Sequence, residues 1–346
     1  MSMHAFEWSK AVKQRRIHRL DPERRVYVIS DLHLGDGTFS DTFAQKDRHL
    51  LRFLDKVDQE GATLVVAGDA VDFSQAWFFT NILRAHGKVL GQFSAMAADG
   101  RLIYVLGNHD HDLRFYTDVL RIPVVHGVEI GQRALILHGY EFDPVIGIDL
   151  DQSEWRTRAH HLVERALKTW IRLPLQHFYT FWNRLTFWGF HKMVHVGRAR
   201  ADLMDRLFGG QRRAELEAEI NYWLLGQIGN PGGIWDQARA ALETGPYEML
   251  ITGHSHLPGV VSLPGGRQYA NTGSWTFRSA TALRIDQGKL ELRDWLSGRA
   301  WTDELYKPLL AGELSQVDFD AWWSQNYLGW LRYRVDLNPH SAESQA

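Results

Sequence analysis

Val26-Tyr27-Val28-Ile29-Ser30-Asp31-Leu32-His33-Leu34-Gly35 decides the fold. Its first four residues are β-branched or aromatic, the composition of a buried strand. Ser30 ends the run, and Asp31 and His33 follow two positions apart. On an extended backbone, residues two apart face the same way. A carboxylate and an imidazole aimed at one point make half of a metal site.

The same arrangement returns along the chain. About Asp41 to Glu60 reads as an amphipathic helix, with Leu50, Leu51, Phe53, Leu54 and Val57 on one side and Gly61 as its stop. Thr63–Ala67 is a second buried run and ends in Gly68-Asp69-Ala70-Val71-Asp72. Strand, helix and strand form a βαβ unit that delivers Asp69 to the sheet edge already holding Asp31. A helix from Trp77 to Ala97 and a turn at Asp99-Gly100 lead into the strand Leu102–Leu106. That strand ends in Gly107-Asn108-His109-Asp110-His111-Asp112. Val124–Ile130 and Arg133–Leu137 read as a hairpin turned at Gly131-Gln132, running into His138-Gly139-Tyr140. Much later, Glu248–Thr252 delivers Gly253-His254-Ser255-His256. Val260–Leu263, Gln268–Asn271, Thr281–Ile285 and Leu290–Trp295 then read as antiparallel strands.

Composition narrows the chemistry. The chain has 346 residues, 45% hydrophobic and 23% charged, as in ordinary soluble globular proteins. The formal net charge of -2 gives no global basic bias toward nucleic acid. There is no cysteine, which removes thiolate nucleophiles, disulfides and Cys-type zinc sites and fits a reducing compartment. Any transition-metal site must draw on Asp, Asn, Glu and the 17 histidines. His4, His18, His49, His86, His126, His160, His161 and His177 stand outside the clusters and read as core histidines satisfied by hydrogen bonds. Residues 1–25 carry no apolar segment of a secretory signal and read as a basic, amphipathic lead-in helix.

Asp31-x-His33, Gly68-Asp69, Gly107-Asn108-His109-Asp110, His138-Gly139 and Gly253-His254-x-His256 occur in this order, each after a strand-like run. Together they resemble the calcineurin-like metallophosphoesterases. The resemblance implies an α/β fold of two mixed sheets packed as a sandwich between helices, with the ligands on loops at strand ends. It implies two divalent metal ions, with Mn2+ expected and Fe or Zn compatible with the donor set. Asp69 would bridge them. One ion would take Asp31, His33, Asp69 and His256, and the other Asp69, Asn108, His138 and His254. A metal-bridging hydroxide would attack phosphorus, the ions lying about 3.5–4 Å apart in such sites. By the same resemblance His109 contacts a phosphoryl or leaving-group oxygen, and Asp110 orients its ring. Asp72 reads as a further acceptor or substrate contact, and His111 and Arg114 as phosphate contacts. Tyr140 reads as packing or hydrogen bonding and not as chemistry.

The domain reading follows. Residues 26–148 and 246–298 make the metallophosphoesterase core. Residues 149–245 are a helical insertion or lid, and residues 299–346 a C-terminal amphipathic helix, over Trp301–Asp336, and a frayed tail. The insertion interleaves aromatics (Trp155, Trp170, Phe178, Tyr179, Trp188, Phe190) with Arg and Lys. It could bury these against itself or a second subunit, making a homo-oligomer. It could equally cover the metals, hold a lipid-linked substrate, or touch an anionic membrane surface. Stacking on nucleic acid uses the same residues, without a clear signal for it. Arg212–Leu225 reads as a helix and Gly229–Gly233 as a loop returning to the core. No stretch is apolar for long enough to span a bilayer.

Within the family, the Asp31-Leu-His33-Leu motif and the basic aromatic insertion resemble the UDP-2,3-diacylglucosamine pyrophosphatase branch. Two positions depart from that branch: His109 stands where it has Arg, and Tyr140 where it has an acid. The expected activity is hydrolysis of a bulky phosphodiester or pyrophosphate, lipid- or nucleotide-linked, in the cytoplasm or at the inner membrane. A phosphomonoesterase or a protein or nucleic-acid phosphoesterase is the alternative, and a non-catalytic scaffold a third reading.

Overall fold

In this computed structural model the described residues are 15–37, 41, 43, 46–73, 76, 78–143, 181–225, 231–276, 279–310 and 319–323. They fall within two compact units, Met1–Phe142 with Trp235–Glu313 and Asp143–Ile234 with Leu314–Ala346.

The first unit is built on two mixed sheets with flanking helices. The seven-stranded sheet has β2 (Val26–Ile29), β3 (Thr63–Ala67), β4 (Leu102–Val105) and β5 (Val124–Val125) side by side and parallel. Its other half is antiparallel: β11 (Thr281–Asp286), β12 (Lys289–Asp294) and β13 (Ala300–Trp301). Every residue of β2, β3 and β4 is buried, as strands covered on both faces require. Alternate residues Tyr27, Ile29, Leu64, Val66, Leu102 and Tyr104 share one apolar cluster with Leu50, Phe53, Leu54 and Val57 of helix α1 (Asp47–Gln59). Val89, Phe93 and Met96 of α2 (Phe79–Ala98) join the same cluster. Phe53 sits at its centre, 5.7 Å from the Tyr27 ring and 5.6 Å from that of Trp275. Each such ring taken fully out of water stabilises the fold by about 1.5–3 kcal/mol.

The six-stranded sheet orders as β1 (Ile17–Leu20), β6 (Gly127–Ile130), β7 (Ala134–Ile136), β8 (Met249–Thr252), β10 (Gln268–Asn271) and β9 (Gly259–Ser262). β7 and β8 are parallel neighbours, so His138 and His254 leave the same end of this sheet.

Five expectations are corrected. The lead-in is no helix over residues 17–20; that stretch is an edge strand parallel to β6, with Arg19 pointing at Glu129. The stretch Val124–Ile130 breaks at His126, its first two residues joining one sheet and its last four the other. β10 pairs antiparallel with β9 but parallel with β8. Residues 231–233 open helix α6 (Pro231–Thr244) instead of finishing a loop, since proline suits a first helical turn that needs no N–H. Trp301 lies in edge strand β13, paired with Leu292 and covered by the Arg299 guanidinium, and not in a helix. A short helix, α7 (Lys307–Leu310), follows it.

The second unit contains α4 (Phe181–Phe208), α5 (Arg212–Leu225) and α8 (Phe319–Trp323). A one-turn helix, α3 (Thr117–Leu120), belongs to the first unit. No helix among the described residues is long and apolar enough to cross a membrane. Trp155, Trp170, Phe178, Tyr179, the lead-in before residue 15, and the tail after residue 323 lie outside the described residues.

Candidate metal centre

Seven candidate ligand side chains follow the ends of five strands. Asp31 and His33 follow β2, Asp69 follows β3, Asn108 follows β4, His138 follows β7, and His254 and His256 follow β8. Two groups of ligand atoms form within 4.8 Å of one another, Asp31–His33–His256 and Asp69–His138–His254. In the first, the Nε2 atoms of His33 and His256 are 3.2 Å apart and His256 Nε2 is 3.0 Å from Asp31 Oδ1. In the second, His138 Nε2 lies 3.2 Å from Asp69 Oδ2 and 3.2 Å from Asn108 Oδ1. Asp69 Oδ2 is also 3.9 Å from His33 Nε2, so this carboxylate stands between the groups.

The local backbone explains the motif spelling. Asp31, His33, Asp69, His254 and His256 all have φ between 50° and 62°, the left-handed region that ordinary residues seldom enter. Such strain persists only where surroundings over-determine it, and it gathers at functional sites. The reversal turns each side chain out of its strand and toward the others. Gly68, Gly107 and Gly253 precede Asp69, Asn108 and His254 because a Cβ there would overlap His138, Asp69, or Ser30 and Asp31 respectively.

Hydrogen bonds fix four of these seven side chains from behind. His138 Nδ1 donates to Ala67 O at 2.8 Å, which points Nε2 toward Asp69. His33 Nδ1 lies 2.9 Å from Asp72 Oδ2 and plays the same part. The His254 amide donates to Asp31 Oδ2 at 3.0 Å, and the His109 amide to Asp69 Oδ1 at 2.8 Å.

Charge in the site alternates. Burial alone would push the Asp31 carboxyl up, but the His256 imidazole beside it holds it well below the usual carboxylate range. Asp69 is lowered likewise, against its burial, chiefly by His138. Burial opposes the charge on His33, yet hydrogen bonds to Asp31 and Asp72 raise it to about 10. His138 is raised to about 10 against burial by Asp69. Buried carboxylates this close demand positive charge among them, as protons on imidazoles or as cations. The donor set and its convergence fit two cations.

The role given to Asp110 is corrected. Its carboxylate does not face the His109 ring. It accepts from the Gly107 amide at 2.7 Å, the Ala70 amide at 2.9 Å and the Tyr104 hydroxyl at 2.5 Å. Burial, and then the charge of Asp69, raise it to about 7. Asp110 therefore ties the loop after β4 to the loop after β3. A different carboxylate, Asp72, stands 3.5 Å from His109 Nδ1. Asp72 is 1% exposed and faces the His33 and His109 imidazoles, as an acceptor for both. His111 and Arg114 hydrogen-bond to one another on the 3-10 turn His111–Phe115.

Three supports were missed in the sequence. Ser30 Oγ donates to Asp31 Oδ2 at 2.5 Å and lies 2.6 Å from Thr272 Oγ1. Asn271 donates to Gly253 O at 2.6 Å and to Ser255 Oγ at 3.0 Å, clamping the Gly-His-x-His loop. Buried Glu141 accepts from the Gly139 amide at 2.8 Å and from Arg15 at 2.9 Å, holding the turn after His138. The Asn-Thr-Gly sequence at the end of β10 was the available signal for the second of these. Among the histidines read as core, His86 is one, lying 2.8 Å from Asp41 and 2.9 Å from Asp47. His18 is instead exposed on the edge strand, and His49 and His126 are half-buried. His4, His160, His161 and His177 lie outside the described residues.

No curated protein matches the chain. Among solved structures, it is similar to a cold-active protein-tyrosine phosphatase of a psychrophilic Shewanella, at 16% identity over 82% of this chain and 81% of that one, with a TM-score of 0.36. A dimetal phosphatase from Danio rerio matches at 14% identity over 79% and 96%, with a TM-score of 0.38. Vacuolar protein sorting 29 from Cryptosporidium parvum matches at 13% over 80% and 94%, with a TM-score of 0.31. The sequence model for calcineurin-like phosphoesterases matches residues 24–258, from just before β2 to just beyond the Gly-His-x-His loop, and the chain belongs to that family.

Proposed function

We propose that the chain is a two-cation hydrolase of phosphoric esters, acting on a bulky phosphodiester or pyrophosphate. The observation that carries this reading is the place of Asp69, between the His33–His256–Asp31 group and the His138–His254 group. Asp31, His33, Asp69 and His256 would hold one cation, and Asp69, Asn108, His138 and His254 the other, with Mn2+ the first choice among Mn, Fe and Zn. When bound, such a pair neutralises phosphoryl oxygens and makes a water between them acidic enough to attack. The protein's own groups do the rest. Asp72 fixes the Nδ1 sides of His33 and His109. His109 then delivers a proton from Nε2 to the departing oxygen, a task worth about 10²–10⁴-fold in rate.

A lipid-linked substrate is the finer reading. It rests on α4, where Trp188, Met193, Val196, Leu203, Leu207 and Phe208 are exposed beside Lys192, Arg200 and Arg206. Apolar and basic groups together suit an acyl chain near an anionic headgroup.

With Mn2+ supplied, bis-p-nitrophenyl phosphate is expected to turn over faster than p-nitrophenyl phosphate. The reverse ranking selects the monoesterase alternative, and turnover of neither with Mn2+, Fe2+ or Zn2+ overturns the hydrolase. Asp69→Asn is expected to remove both cations and lower turnover by more than about 10³-fold, several kcal/mol of lost charge stabilisation. Co-sedimentation with anionic vesicles, absent from neutral ones, tests the lipid reading.

A further inference from the structure

We propose that His191, His195 and Asp320 form a separate mononuclear site for a borderline divalent cation of the Zn2+ class, wholly within the second unit. This does not rest on the hydrolase reading.

The two histidines stand four apart on α4 and so share one face of the helix. Their Nε2 atoms are 3.2 Å apart. Asp320 Oδ1, on α8, is 3.1 Å from His195 Nε2 and 3.6 Å from His191 Nε2. Three ligand atoms thus mark one face of a tetrahedron. Bonds of about 2.0–2.1 Å at tetrahedral angles put neighbouring ligand atoms about 3.3–3.4 Å apart, and the three observed separations bracket that spacing.

The site has the support a metal site needs. Arg198 Nη1 donates to Asp320 Oδ2 at 2.7 Å, which turns Oδ1 toward the imidazoles. Arg198 is itself held by both oxygens of Glu217, at 2.7 and 2.9 Å. The His191 ring stacks on Trp323, with centroids 4.3 Å apart, and faces Phe319 at 5.7 Å. Phe319 and Trp323 flank Asp320 on α8, so ring stacking sets the angle at which the carboxylate arrives.

Hydrogen bonding alone serves this geometry poorly. Each of the three atoms lies near both others, and neutral imidazoles bring at most one Nε2 proton each. One cation satisfies all three lone pairs at once. His195 and Asp320 are half-exposed, which leaves a fourth position to water. Two histidines with one carboxylate suit Zn2+ or Co2+ more than Mg2+ or Ca2+.

The bound ion would join α8 to α4. A five-residue helix is far too short to hold itself, and the ion would add a cross-link to its ring and Arg198 contacts.

The test uses the full chain, freed of metal by chelator and then equilibrated with Zn2+. Elemental analysis is expected to give one ion fewer per chain in His191→Ala/His195→Ala than in the wild type. The difference stands whatever number the first unit holds. Turnover and helical circular dichroism should be unchanged in that variant, which separates lost binding from lost folding. Asp320→Asn is expected to weaken Zn2+ binding at this site at least ten-fold, and Co2+ to give the intense visible bands of four-coordination only with Asp320 present. Equal ion counts in wild type and double variant overturn the site. Unchanged affinity in Asp320→Asn also overturns it, leaving only a pair of surface imidazoles.

Discussion

The strand-built first unit and the helical second unit both gather histidines and carboxylates, but by different means. In the first, seven side chains come from the ends of five strands, and five of them sit on left-handed backbone. In the second, helical periodicity alone sets His191 beside His195, with no backbone strain. Strand ends can point many ligands at one volume, but each must then turn sharply, and the neighbours must leave room. A helix gives two ligands freely and needs another element for the third. The strand-built site is therefore buried and intolerant of change, whereas the helical one is half-exposed and open to substitution.

The largest expected effect separates the two by turnover. His109→Ala should lower kcat by about 10²–10⁴-fold, the range for losing a positioned acid. Metal content should stay as in the wild type: the His109 ring groups with His33 and Asp72, and neither Asp31–His33–His256 nor Asp69–His138–His254 needs it for completion. His191→Ala/His195→Ala should leave kcat unchanged. Steady-state kinetics beside elemental analysis checks both. A loss of metal in His109→Ala would reassign that residue from proton donor to ligand.

The same contrast explains what the sequence disclosed. β2, β3, β4 and β8 were legible because fully buried strands spell continuous apolar runs, and because a glycine or serine announces each turn. The side chains that converge at the ends of these strands were legible for the same reason. Edge strands β1 and β13 were not, since an edge needs only one partner and its alternation is weak. The orientation of Asp110 was hidden too. Sequence places it beside His109, but consecutive residues need not face alike, and three donors on the inner side claim its carboxylate. His191 and Asp320 were missed because nothing in the chain shows that α8 returns to α4.

Steric tolerance gives the next effect. Gly253→Ala would drive its Cβ into Ser30 and Asp31, where neither can retreat without releasing Thr272 or the His254 amide. The expected loss is about 3 kcal/mol, the upper end for overpacking a rigid site. Urea denaturation measures it. A loss below about 1 kcal/mol would show that the loops after β2 and β8 yield, and that the burial of this centre is softer than its geometry implies.

Protonation supplies a third. His86, inside α2, has non-helical backbone (φ −123°, ψ 23°) and is clasped by Asp41 and Asp47. Burial lowers its pKa, but the two carboxylates win and raise it to about 9. A folded pKa above the unfolded value near 6.5 stabilises fully below that value, and the gain is lost as pH rises through 9. The full contribution is on the order of 3 kcal/mol. Lys46 works in the opposite sense. Burial lowers it to about 7, so its cost is present below pH 7 and fades as pH rises. The wild-type profile mixes the two, and the variant isolates His86. The gap in Tm between wild type and His86→Gln should be widest at pH 6 and narrow by pH 9.5. A constant gap would mean that the ring packs without carrying charge.

The smallest effect lies in the helical unit and has the opposite sign. Gly189 sits within α4, and among the described residues an added Cβ would meet nothing within 4 Å. Glycine in a helix interior is less favourable than alanine by about 0.8–1.0 kcal/mol, because its unfolded chain has more freedom to lose. Gly189→Ala should therefore stabilise α4 by about 0.5–1 kcal/mol, seen as slower amide hydrogen exchange along the helix. Turnover should not change. Gly197→Ala, whose Cβ would meet Leu216 at an ordinary 3.6 Å, should behave alike. One substitution, glycine to alanine, would then damage the unit where backbone crowds around ligands and strengthen the unit where a helix carries them. Faster exchange in Gly189→Ala would show instead that this glycine serves a contact or bend in α4, and the helical unit would join the strand-built one as a place where backbone freedom is required.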